Sequence, residues 1–157
     1  MSEEGDEKEM KRRKDGDLIL MGQMDGNTKR RFNLFDGKFT TGFRVVEFRI
    51  ADYGSTATHE EAGLLSTQEK SVTGFWDWGD VTEIGWAGYN APNTDYGLDS
   101  NLVRPDNMII EDLYLGIYSV SDNRKINYYI RLEKYEFTAW DGANSMVRNQ
   151  SQAGPPA

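Results

Sequence analysis

The stretch Ile126-Asn127-Tyr128-Tyr129-Ile130-Arg131-Leu132-Glu133 alternates strictly. Ile126, Tyr128, Ile130 and Leu132 fall on one side, and Asn127, Tyr129, Arg131 and Glu133 on the other. That is the period of an antiparallel strand with one face buried. A slip of one residue would turn all four buried side chains toward water, so the register is strongly specified. Upstream, Met108–Val120 reads as a second strand, and Ser121-Asp122-Asn123 between the two reads as a turn. Together they predict a hairpin. Beyond Leu132, the switch to Tyr135 and Phe137 predicts a bulge or a strand end.

The pattern extends toward the N-terminus. Asp17–Met24 is a short apolar run closed by Asp25-Gly26-Asn27, a turn signal. Lys29–Phe35 alternates and ends at Asp36-Gly37, which predicts another hairpin. Phe43–Ile50 is a strand whose adjacent Val45 and Val46 mark either a bulge or burial on both faces. Residues 52–63 are polar and predict a loop, followed by a short strand at Leu64–Gln68. In Val72–Gly88, Trp76 and Trp78 lie two apart and would share a face of a strand, as would Ile84 and Trp86. Asn90–Pro105 reads as a long polar loop, of the length that binds something or covers an edge.

The two ends differ from this. Residues 1–16 carry an acidic block (Glu3, Glu4, Asp6, Glu7, Glu9) and then a basic one (Lys11–Lys14), with Met10 the single large apolar residue after Met1. Such a segment buries too little to offset its own ordering. It reads either as a solvated tail or as a charged arm whose opposite charges pair with neighbouring subunits, and in both cases as removable without loss of the fold. Thr138 with Asp141 resembles a capping box, and Trp140, Ala143, Asn144 and Val147 share one helical face, so a short helix is expected before Gly154-Pro155-Pro156. The expected fold is all-β: an antiparallel β-sandwich, with the jelly roll as one candidate form. The expected segments are an arm (1–16), the sandwich (17–137), and a helix and tail (138–157).

Composition narrows the chemistry. A chain of 157 residues suits one domain. It has no cysteine, which excludes disulfides, thiolate metal sites and a thiol nucleophile, and its single histidine, His59, excludes a histidine metal set. A net charge of −8 disfavours nucleic acid and anionic lipid. The longest apolar runs, such as Leu18–Met21, fall far short of a membrane span, and the charged N-terminus does not resemble a secretion signal. No cofactor, metal or catalytic residue is therefore expected. Three weaker readings remain open. Asp77, Asp80 and Glu83 beside tryptophans have the residue types of a glycosidase, or of ordinary turns. Asp95, Asp99, Asn101, Asp106 and Asn107 could ligate Ca²⁺, or hydrogen-bond their own backbone. Asn149-Gln150-Ser151 matches a glycosylation sequon, a short pattern common by chance.

Several strings resemble those of short β-rich virion proteins of marine tailed bacteriophages. They are Gly42-Phe43-Arg44-Val45, Trp76-Asp77-Trp78 with Glu83-Ile84-Gly85-Trp86, Pro105–Asp112, Asn127–Ile130 with Leu132–Tyr135, and Met146–Gln152. The resemblance implies a phage-encoded shell, decoration, fibre or connector protein made in the host cytoplasm, without choosing among them. The reading favoured is a virion structural protein: a capsid decoration, cement or minor shell subunit. Its partners would be other capsid proteins and copies of itself. Met10, Arg12, Arg13, Trp76, Trp78 and Trp86 are the expected contact residues, on composition. The alternative is a carbohydrate-binding module that presents these tryptophans on one face.

Overall fold

The computed structural model describes residues 10–54, 59–91, 98–120 and 124–137. They form eight strands: β1 (Met10–Asp25), β2 (Thr28–Asn33), β3 (Thr41–Asp52), β4 (His59–Ser66), β5 (Glu83–Ala91), β6 (Leu98–Val103), β7 (Asp112–Ser119) and β8 (Lys125–Phe137). There are two antiparallel sheets, ordered β1-β8-β3 and β2-β7-β4-β5-β6, and their inner faces make a β-sandwich core. No helix occurs among the described residues. The helix expected from Thr138 lies outside them.

The alternation of β8 is realised. Ile126, Ile130 and Leu132 are fully buried and Tyr128 nearly so, while Arg131 and Glu133 are only partly covered. Strand β7 does the same with Leu113, Leu115 and Ile117. The two are not a hairpin, however. Strand β7 pairs with β2 and β4, and β8 with β1 and β3. Two strands that each have one apolar face can be neighbours in a sheet or can face each other across the core, and alternation does not distinguish these. The same holds for β1 and β2. Asp25-Gly26-Asn27 does turn the chain, but carries it from one sheet to the other. Asn27 takes a left-handed φ of 61°, tolerable for asparagine, and its side chain donates to and accepts from the Ser119 backbone.

In β3 the register against β8 shifts between Val45 and Glu47, so Val46 is the extra residue of a bulge. The bulge brings Val45, Phe48 and Ile50 onto the core side together. Asn107 clasps this point: its Oδ1 accepts from the Val45 amide at 2.8 Å and its Nδ2 donates to the Val45 carbonyl at 3.0 Å. The asparagine weighed as a Ca²⁺ ligand is thus spent on backbone.

Three boundaries differ from expectation. Strand β1 starts at Met10, not Asp17, with Met10 opposite Phe137 and Arg13 opposite Lys134. Residues 10–16 therefore belong to the sandwich rather than to an arm; residues 1–9 lie outside the described set. The ladder and ion pairs hold this end in place of apolar burial: across the strands, Arg12 to Glu133 (2.7 Å) and Arg13 to Glu136 (3.2 Å), and within β1, Arg12 to Asp17 (2.6 Å). Strand β4 reaches back to His59 through the polar residues expected to be a loop, and β6 occupies part of the other expected loop.

Strands β4, β5 and β6 follow one another in the sheet and β7 returns beside β4, the order of a Greek key. Across the molecule, β1 pairs with β8, β2 with β7 and β4 with β5, and β3 lies beside β6.

Candidate functional site

The segment between β4 and β5 is not a strand. It runs over the outer face of the five-stranded sheet, with Val72 beside Gly116, Gly74 over Tyr118 and Trp76 against Gly88. The three tryptophans therefore do not share a face. Trp86, on β5, is 3% exposed beneath the segment, with Trp78 edge-on to it at 6.0 Å between centroids. Trp78 remains 61% exposed and Phe75 84% exposed.

Charged groups fasten this segment. The buried Asp80 pairs with Lys70 and accepts from the Thr82 amide (2.8 Å) and hydroxyl (2.6 Å). Glu83 Oε1 accepts from the Asp77 amide (2.9 Å) and the Trp86 indole (3.0 Å). Arg104 lies over the Trp86 ring and donates to the carbonyls of Trp78, Asp80 and Glu83. Asp77 closes a local turn by accepting from the Gly79 amide at 3.0 Å. These carboxylates, considered above as an acid–base set, are ties of the loop. Sequence proximity suggested their grouping, but Lys70, which pairs with Asp80, and Arg104, which donates to the loop's carbonyls, come from outside the cluster.

Under the segment, strand register places Tyr118, Ala62, Gly88 and Ser100 in one row across β7, β4, β5 and β6. Three small residues following a tyrosine leave a trough of about 360 Å³. Trp76 is one wall, and Glu60 and Asn90, paired in the adjacent row, stand at its mouth. Of these, sequence reading singled out Trp76 alone. Alanine, glycine and serine on three separate strands carry no local signal, and only the register assembles them.

A second polar site is internal. Asp52, ending β3, and Glu61, early in β4, meet between the sheets, and Glu61 is 2% exposed. Among the described residues, no donor reaches either Glu61 oxygen. Burial and the hydrogen-bonding, negatively charged Asp52 push the Glu61 carboxyl up to about 9, against a weaker opposing pull from Arg124. Two facing acceptors are reconciled only by a retained proton.

The expected contact residues are dispersed. Arg12 and Arg13 lie on β1, engaged by their own chain's carboxylates, and Met10 begins that strand. His59 opens β4. Asp95, Asn149 and the rest of the sequon lie outside the described residues. Among the described residues, no group of three or more His, Cys, Asp or Glu could hold a metal ion, and no helix is long and apolar enough to cross a membrane. No family model and no curated protein matches the chain.

Proposed function

We propose that this chain is a structural subunit of a virion, a decoration, cement or minor shell protein that works through protein–protein contacts. The observation carrying the proposal is the fastened aromatic segment. Phe75 and Trp78 project from a loop whose backbone is held by Asp80, Glu83 and Arg104. Large aromatics carried on a fastened backbone lose less freedom on docking than those on a loose loop, and such residues dominate interfaces. The strand partnering is a second support. First with last, second with seventh and fourth with fifth is the pairing of a double-sheet jelly roll, an architecture recurrent in capsid proteins and also in lectins. Strand β6 departs from it by bonding to β5 rather than β3. Fold does not dictate function, so the weight rests on the surface.

In this reading Phe75 and Trp78 contact neighbouring capsid proteins or copies of the chain, with Trp86 as the support beneath them. The test is gradient purification of particles from cells producing the virus, with mass spectrometry for this chain. The wild type is expected in the particle fraction. A Phe75→Ser/Trp78→Ser variant with unchanged thermal midpoint is expected to be depleted from it. Absence of the wild-type chain from particles, or full incorporation of the variant, would overturn the proposal.

A further inference from the structure

We infer that the trough beneath Trp76 is a binding site for a neutral sugar ring. Three features lead there. First, its size: about 360 Å³ is at the small end of ligand pockets, room for one or two pyranose rings. Second, its shape is set by missing side chains. A Cβ at Gly88 would lie 3.1 Å from Ser100 Oγ and 3.5 Å from the Trp76 ring, and one at Gly74 would lie 3.1 Å from the Tyr118 ring. Glycine within a strand removes a side chain to pack and marks close approach by a ligand or another backbone.

Third, its chemistry is mixed in the way a sugar requires. The six-membered ring of Trp76 lies against Gly88, its Cη2 3.5 Å and its Cζ2 3.9 Å from where a Cβ would sit, so aromatic surface lines the trough. A pyranose lays its apolar C–H face on such a surface. Its hydroxyls then need acceptors and donors at the rim, which the Glu60 carboxylate, the Asn90 amide and the Ser100 hydroxyl provide. Glu60 is exposed. Its charge, with that of the chain as a whole, selects against phosphorylated or acidic sugars. The site is separate from the docking surface proposed above: Trp76 walls the trough, while Phe75 and Trp78 lie outside its lining.

The test is titration of the ¹⁵N-labelled full chain with glucose, galactose and mannose and with their short neutral oligomers. Expected is a saturable shift of the Trp76 indole and of the Gly88 and Ser100 amides with at least one of them. Trp76→Ala should weaken that binding more than tenfold, and Gly88→Val should do the same by filling the trough. Trp78→Ser should leave it unchanged. Thermal midpoints of all three variants establish that they are folded, and Trp76→Ala, on the outer face, keeps the test usable if Gly88→Val is not. No shift with any sugar at high millimolar concentration, or binding indifferent to Trp76→Ala, would overturn the inference.

Discussion

At Ile130 and Arg131, adjacent residues have opposite fates. Ile130 is fully enclosed, whereas Arg131 reaches a half-exposed Glu47 at 3.5 Å. Ile130→Ala should therefore cost about 2–5 kcal/mol in denaturant unfolding. Arg131→Ala should cost less than about 1 kcal/mol, the range of exposed pairs. Equal losses would show that the strand is buried on both faces. Glu61 supplies a pH dependence. Its carboxyl holds a proton to about 9 in the fold, against about 4.5 without the fold. Between those values the folded chain binds more protons than the unfolded one, so stability falls as pH rises. Glu61→Gln removes the penalty. Its thermal midpoint should exceed that of the wild type at pH 8, and the gain should shrink toward pH 4.5. A gain that is constant with pH would exclude the buried proton. The alternation of Ile126 to Leu132 was legible because it is local. Glu61 was not, because its polar surroundings in sequence read as a loop and its partner Asp52 sits on another strand.

Elements depend on ties that come from elsewhere in the chain. The loop between β4 and β5 hangs on Asp80, so Asp80→Ala should cost about 1–3 kcal/mol through its lost charged hydrogen bonds. It should also shift tryptophan emission to the red as Trp86 becomes wetted. An unshifted spectrum would mean that the loop is held without it. For β1, removal of residues 2–16 deletes the Met10–Arg13 ladder and the Arg12–Glu133 pair. This deletion should lower the thermal midpoint; an unchanged midpoint would show that the sandwich folds without that end of the strand. Reading the arm as ending at 16 fails for a physical reason: backbone pairing and cross-strand charge can hold a strand that has almost no apolar side chains. The hairpin reading of β7 and β8 fails for another. Both strands are recognisable from their own residues, but their sheet membership depends on partners roughly half a chain or more away, β2 for one and β1 for the other.

The molecule as a whole closes only when its last strand arrives. Strand β8 lies between β1 and β3, so the three-stranded sheet does not exist without it. A chain ending at Ser119 should fail to give cooperative unfolding, and refolding of the full chain should take milliseconds to seconds, as expected of distant pairings. Microsecond refolding, or a cooperative transition in the shortened chain, would contradict the topology. The expected all-β sandwich was legible at this scale from the spacing of apolar strands and turns. The trough on its outer face was not, since Ala62, Gly88 and Ser100 acquire meaning only when three strands align them.

The pairing of Met10 with Phe137 also sets how the protein carries load. Pulled by its two ends, the antiparallel pair β1 and β8 would open like a zip, its backbone bonds breaking one after another instead of sharing the force. Tension spread over the faces of the sandwich meets all the strands of a sheet at once. A chain wired in this way is mechanically strong when gripped by its surfaces and weak when tethered by its termini.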